Sequence, residues 1–429
     1  MHENEFDVIV IGGGIAGSSC ALQLARAGIS VLLLERGAVA GSKNLSGGRL
    51  YAYSLASLIP DFAQSAPLER QITREKLSML TQDSAVTLDY QHPPFAADAT
   101  SYSVLRARFD PWLMAQAEQA GAQCLTGVQV DGLIVEQGVV KGVTIGEDRL
   151  YASAVVLAEG ANTLLGERHG LISKPAPDTM AIGVKQTLAL PSDEIEARFA
   201  LRQGEGAAWM LAGAATKGQP GGGFLYTNRD TLSFGVVCPL AQFDGDNEGP
   251  LALLENLKAH PSLNPLLKGA EVVEYGARLI PEGGLNSLPA LSGAGYVVVG
   301  DAARLCLNCG HTVRGMDLAI LSAQAAAQTL IDARHRSDFS TASLGKYQEN
   351  LETVGLWALL KRYQRLPDML LETPRLFTQY PKACADLMRD LYEISSRPGL
   401  PLRSTLWKHA RRIGLMNLIK DLIRGGRCL

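Results

Sequence analysis

The sequence has no apolar run of about 18 residues, the length a helix needs to cross a bilayer, so no membrane span is expected. It carries no large charge excess: 40 Lys and Arg face 43 Asp and Glu, a formal net charge of -3. That balance excludes the broad basic footprint of a nucleic-acid binder and leaves charge-driven contacts to local patches. Cysteine is sparse. Cys20, Cys124, Cys238, Cys306, Cys309, Cys384 and Cys428 are scattered, odd in number and mostly set in apolar stretches, which suits free thiols in a reducing cytosol. The start lacks the positive flank and small-residue cleavage site of an export signal, since Glu3, Glu5 and Asp7 lead into an apolar strand; a cytoplasmic location is expected. The middle of the chain lacks a Ser-His-Asp, metal-ligand or paired-carboxylate constellation. His260, before a proline in an expected surface loop, receives no catalytic role. No side chain is singled out as catalytic, and no metal site is expected. Against these absences stand 429 residues, 47% hydrophobic and 19% charged, enough to bury a large core in two or three domains.

Phe6 to Ile11 reads as a strand buried on both faces, and it runs directly into Gly12-Gly13-Gly14-Ile15-Ala16-Gly17, a G-x-G-x-x-G turn. Helical spacing follows through Ala21, Leu22, Leu24 and Ala25, with Gly28 placed to end the helix. A second strand, Ser30 to Leu34, ends at Glu35. Each part has a physical job. Gly12 permits the turn, Gly14 lets backbone N–H groups approach a diphosphate, Gly17 lets helix and strand pack closely, and the helix start favours negative charge. Glu35, 18 residues beyond Gly17, can accept hydrogen bonds from the hydroxyls of an adenosine ribose. Ile15, Ala16, Arg36 and Val130 join the candidate cofactor contacts.

The fingerprint suits FAD and NAD alike, because both contain the same ADP half, so later segments must decide. Tyr296 to Val299 is a short apolar strand ending in Gly300-Asp301-Ala302-Ala303. Gly310-His311-Thr312-Val313-Arg314-Gly315-Met316-Asp317 then opens a helix through Leu318 to Ile331. Ala154 to Ala158 is a further apolar strand, turning at Glu159-Gly160. In this order the segments resemble the FAD motifs of glutathione-reductase-like flavoproteins. The resemblance implies that Asp301 binds the ribityl chain and that Gly315 and Met316 offer backbone donors to the flavin's pyrimidine edge, where the helix dipole favours the negative charge of a reduced flavin. Glu159 stands where relatives commonly carry aspartate.

Two further segments narrow the resemblance to the electron-transfer-flavoprotein:quinone oxidoreductase family, in its FixC-type bacterial form, over nearly the whole chain. Gly41-Ser42-Lys43-Asn44-Leu45-Ser46-Gly47-Gly48-Arg49-Leu50-Tyr51 looks like the family's signature loop against the flavin, making Lys43, Asn44, Ser46 and Gly47 candidate contacts. Val104 to Leu113 is similar to the family's helix beside the cofactor, with Asp110 suited to cap a helix that begins at Pro111. Arg106 in that segment either approaches FAD or forms a structural salt bridge. Larger family members carry a four-cysteine iron-sulfur domain, whereas Cys306 and Cys309 form the only C-x2-C here, and two thiols alone cannot hold a cluster. They read as packing residues or as a redox pair. The resemblance implies a separate ferredoxin-like iron-sulfur partner, with electrons passing from electron-transfer flavoprotein through FAD to quinone. A prenyl-chain or other lipid or small-molecule reductase shares the general FAD motifs and is the competing reading; a non-catalytic flavin-stabilised subunit is a third.

The expected fold class is α/β. A glutathione-reductase-like, Rossmann-type FAD-binding domain spans 1–180 and 276–345, and an antiparallel-sheet substrate domain spans 181–275 with part of 50–103 contributing. A helical region follows over 346–429. The last 27 residues interleave Arg403, Lys408, Arg411, Arg412, Lys420, Arg424 and Arg427 with Leu406, Trp407, Ile413, Leu415, Met416, Leu418, Ile419, Leu422 and Ile423. Such a basic amphipathic stretch reads as a helix packed on its own domain, as a peripheral membrane contact, or as a docking face for an acidic partner.

Overall fold

The computed structural model describes residues 6–42, 47–96, 99–243, 249–396 and 399–428. Two sheets organise it. The first is built on the expected fingerprint: strand Phe6–Ile11, helix Ile15–Arg26 and strand Val31–Glu35. Phe6–Ile11 lies between Val31–Glu35 and Asp148–Leu157, both parallel to it, and Tyr296–Val298 and Gln123–Thr126 extend the parallel order on either side. Val8, Ile9, Val10, Leu33 and Val155 are buried, as strands covered on both faces require.

The backbones meet most closely at the glycine turn. Gly12 holds φ +107°, and a Cβ added there would stand 2.3 Å from the Ala158 carbonyl oxygen; one added to Gly17 would stand 1.9 Å from that of Gly12. Gly28, at φ +76°, follows the end of the first helix. The long helix Met316–Arg336 lies along Ile15–Arg26, with Leu318, Ala323 and Ala327 buried.

The second sheet collects Met180–Ala189, Glu205–Gly213, Gly222–Thr227, Thr231–Pro239 and Glu271–Pro281. Leu68–Leu80, Ala85–Gln91, Ser101–Val104 and Gly48–Tyr51 join them from earlier in the chain. Strands within 181–275 pair antiparallel, as expected, but Glu205–Gly213 lies parallel to Leu68–Leu80, so the sheet is mixed. The physical reason is sequence separation: strands not joined by a hairpin are free to run the same way. Arg70, fully buried, ties this junction by donating to the carbonyl oxygens of Asn228 (2.6 Å), Glu205 (3.0 Å) and Arg229 (3.0 Å).

Two local expectations change. Asp110 does not cap a helix beginning at Pro111. The helix is Arg106–Gln119, and Asp110 is a buried interior residue whose carboxylate accepts from Arg106 at 2.6 Å through both oxygens. The i,i+4 ion pair compensates a carboxylate that would otherwise be stranded in the core. His260 is buried rather than on a surface loop, its ring nitrogens 2.8 Å from Ser262 Oγ and 3.0 Å from the Thr81 carbonyl oxygen.

Beyond residue 340 the chain is helical. Gln379–Tyr392 packs on Leu68–Leu80 and Ala85–Gln91, and Leu402–Ile413 packs on Gln379–Tyr392. The final helix, Leu415–Gly426, buries none of its residues. Its apolar side faces outward, with Leu422 78% exposed beside exposed Met416, Ile419 and Ile423, which departs from a helix packed on its own domain.

Gly17→Ala tests the glycine contact. The methyl has no room beside the Gly12 carbonyl, so a loss of about 2–4 kcal/mol is expected, with a lower Tm and a lower flavin content after purification. A variant that melts with wild type and keeps its flavin would show that the close approach is dispensable.

Candidate functional site

A cavity of ≈ 690 Å³ lies between the two sheets, within the range of cofactor sites. Gly12, Gly14, Ile15 and Ala16 line it at the first turn, with Ala158, Glu159 and Gly160 beside them. The helix Ile15–Arg26 has no side-chain cap on its first N–H groups, leaving them and the helix dipole for an anion. Glu35 lines the cavity while its carboxylate accepts from Gly13 N (2.8 Å) and Gly37 N (2.6 Å). Two carboxylate oxygens hold about four acceptor positions, so ribose hydroxyls can still be received. Arg36 and Val130 lie at the same end.

Arg106 forms the structural salt bridge and also borders the cavity. It pairs with Asp110, and its Nη2 stands 3.7 Å from where a Gly14 Cβ would lie, at the edge of the cavity. Asp301 also lines the cavity, and its carboxylate takes no hydrogen bond from the described residues; burial pushes its pKa up, with Arg106 opposing. A polyol is a suitable partner for such a carboxylate. Glu159 is partly committed elsewhere, accepting from Leu165 N (2.8 Å) and Gly166 N (3.1 Å) at the start of a short helix.

Gly315 and Met316 reach the cavity at the uncapped start of the long helix. Behind them Arg314 binds Asp317, and Tyr53 donates to Asp317 at 3.0 Å, while the Tyr51 and Thr312 hydroxyls bond each other. Gly47 also lines the cavity and packs on Ser233. Gly17 and Gly300 do not line it: Gly17 serves the turn, and Gly300, at φ +62°, packs on Ala16 and donates its N–H to Ser322 Oγ at 3.0 Å. Lys43, Asn44 and Ser46 lie outside the described residues.

The roof of the cavity holds groups that sequence reasoning did not select. Lys185 lies in Met180–Ala189 between Gly235 and Gly276 of the flanking strands, and its Nζ donates to the Gly47 carbonyl oxygen. Burial pushes its pKa down to about 7, with Glu274 opposing and Arg106 adding to the fall. Arg278 and Glu282 line the same cavity. Burial pushes Glu282 up to about 7, against a hydrogen bond from Asn308. A charged residue amid Met180–Ala189, otherwise almost wholly apolar or small, was the available signal for Lys185. Cys306 and Cys309 are buried and unbonded to each other; burial raises Cys306 well above the ordinary thiol range and Cys309 to about 11. Neutral thiols of this kind suit packing rather than thiolate chemistry.

The residues present fit FAD: an anion-receptive helix start at one end, an unpartnered carboxylate in the middle and a second open helix start farther on. Comparison with known proteins agrees. The model for FAD dependent oxidoreductases matches residues 7–97 and 98–329, and that for the ETF-QO/FixC family C-terminal domain matches 366–429. The chain is 49% identical to the probable electron transfer flavoprotein-quinone oxidoreductase YdiS and 51% to YgcN, both of Escherichia coli K12, each over the full length of both chains. Protein FixC of the same strain is 46% identical over 99% of each. Among solved structures, a geranylgeranyl bacteriochlorophyll reductase-like protein of Thermoplasma acidophilum superposes with a TM-score of 0.71 at 19% identity, covering 98% of this chain and 99% of its own. That last likeness is one of fold.

Lys185 and Glu282 give the FAD-free chain a defined pH response. Lys185 falls from its ordinary 10.5 to about 7, so the unfolded chain holds more protons between these values and stability rises with pH across them. Glu282 rises from 4.5 to about 7, so its contribution is present below 4.5 and is lost as pH climbs through 7. In urea unfolding, wild type should gain on Lys185→Met from pH 7 upward and lose ground to Glu282→Gln between pH 4.5 and 7. A pH-independent difference for either variant would remove that residue's assignment.

Proposed function

The chain belongs to the ETF-QO/FixC family of FAD-dependent oxidoreductases, and from this we propose that it takes electrons from reduced electron transfer flavoprotein and passes them to quinone. We assign its fold to the glutathione-reductase-like flavoproteins, divided as 1–180 with 276–345, 181–275 and 346–429. Bound FAD supplies the redox chemistry by holding electrons between donor and acceptor. Gly12, Gly14, Ile15, Ala16 and the helix start hold its diphosphate, Glu35, Arg36 and Val130 its adenosine end, and Asp301 its ribityl chain. Gly315 and Met316 direct backbone N–H groups to the flavin ring, while Gly47, Arg106, Glu159 and Gly160 close the surroundings. Quinone takes two protons with two electrons, and Glu282, protonatable near neutral pH and facing the cavity, passes protons from solvent to it.

One observation carries the choice of acceptor. Leu370 and Phe377, from the C-terminal helical region, line the same cavity as the glycine turn, and that region presents an apolar and basic outer face. Trp407, Leu406, Leu415, Met416, Ile419, Leu422 and Ile423 are exposed on its two last helices, with Arg403, Arg411, Lys420 and Arg427 exposed among them. No helix of the described residues is long and apolar enough to cross a membrane. Two short amphipathic helices with aromatic and cationic side chains suit the surface of an anionic bilayer, where quinone resides. A ferredoxin-like iron-sulfur protein completes the route as a separate partner, and the cytoplasmic face of the membrane is the proposed location.

Two measurements test this reading. In anaerobic stopped-flow absorbance, reduced electron transfer flavoprotein should bleach the flavin rapidly, and a soluble quinone should restore it, with the ferredoxin-like partner accelerating transfer. An unreactive flavin that instead turns over with NAD(P)H and a lipid alkene would replace the proposal with a lipid reductase. The protein should also co-sediment with vesicles containing phosphatidylglycerol, more weakly as salt rises, and Leu422→Asp with Ile423→Asp should abolish this while leaving flavin absorbance unchanged. Wild-type protein remaining in the supernatant would end the membrane assignment.

A further inference from the structure

Arg278 projects from the second sheet, at a position paired with Gly183, and lines the cavity opposite the glycine turn. Arg36 and Arg106 line the cavity from the first sheet's side. Arg106 is paired with Asp110 and Arg36 has the Glu159 carboxylate within electrostatic reach, but no described residue gives Arg278 an ion pair or a hydrogen bond. Arg36 and Arg106 are both close enough to act on Arg278. Burial lowers the proton affinity of Arg278, and Arg36 and Arg106 lower it further.

Cations gathered from both sides of a cleft repel each other unless an anion stands between them. Arg106 marks where that anion belongs, because its guanidinium borders Gly14, the glycine with open space beside the uncapped helix start. A group carrying two negative charges there would meet N–H donors from the first sheet's turn and a guanidinium from the opposite sheet. The family's cofactor contains one such group, the diphosphate of FAD.

We infer that Arg278 reaches across the cleft to the FAD diphosphate, so that the cofactor is gripped by both sheets and itself fastens one to the other. Gly183 lies opposite Arg278, and Gly276 and Gly235 flank the neighbouring Lys185, with Ile280 packed over Gly183 and Phe224 over Gly235. Charged groups facing Arg278 are Arg36 and Arg106 from the floor, with Lys185 as its diagonal neighbour on the same sheet face. The inference concerns cofactor retention and holds whichever electron acceptor the protein serves.

The test uses the full-length chain, stripped of flavin in concentrated bromide and titrated with FAD, ADP and riboflavin. Arg278→Met should weaken FAD and ADP by a similar factor of about ten or more and leave riboflavin, which has no phosphate, unchanged. Arg278→Lys should recover part of the loss, and the affinity of Arg278→Met for ADP should depend less on salt than that of wild type. Without flavin, Arg278→Met should be at least as stable as wild type, because a repelling charge has been removed. Unchanged ADP affinity, an equal loss for riboflavin, or a destabilised flavin-free variant would each overturn the assignment, since the arginine would then serve the flavin ring or the fold instead.

Discussion

Everything in this molecule hangs on one crossing of backbones. At Gly12 the first strand turns beneath the exit of Asp148–Leu157, and at Gly17 the first helix passes the same turn, with no space for a methyl at either glycine. This contact sets the distance between helix start and sheet. It also puts uncapped N–H groups at the floor of the cavity, so one steric requirement governs both packing and anion binding.

The cavity depends on that crossing from below and on the second sheet from above. The two contribute different chemistry. The floor offers backbone donors, an acid at each of two strand ends and a long helix whose start points inward; the roof offers glycines, Lys185 and Arg278. Buried groups in such a place are poised by their surroundings. Lys185 and Glu282 are brought from opposite directions to about 7, which makes each able to change protonation near neutral pH. In a flavoprotein the cofactor performs the redox step, and the protein sets its position and surroundings.

The outer surface follows a different rule from the interior. In Leu415–Gly426 every residue keeps solvent exposure, and Asp421 ties the helix down through Arg375 and Tyr380 at 2.7–2.8 Å. A polar anchor on the inner side with Leu422 and Ile423 outward is the reverse of ordinary surface patterning. Hydrophobic area of this extent costs solubility unless something covers it, and the helix that carries it packs on Leu366–Glu372, whose Leu370 lines the cavity.

The sequence by itself determined the β-α-β start and the later strand-and-turn segments, because strand periodicity, glycine spacing and a strand-end acid are local properties that little else satisfies; FAD and the family followed from the resemblance that these segments carry in their order. It also marked the final segment as basic and amphipathic. Only the tertiary structure decided which way that amphipathic face points, since periodicity gives a helix two sides and packing selects between them. It likewise placed Asp110 inside a helix, paired with Arg106 one turn earlier, and buried His260 against Thr81, which packing brings from far along the chain. Arg278 and Glu282 were invisible as site residues, and Lys185 was marked only as a charge amid apolar neighbours, for the same reason: alternation along a strand says that two faces exist, but which face roofs a cavity is settled by the other sheet. Their charges acquire meaning only from groups that lie far away along the chain and close by in space.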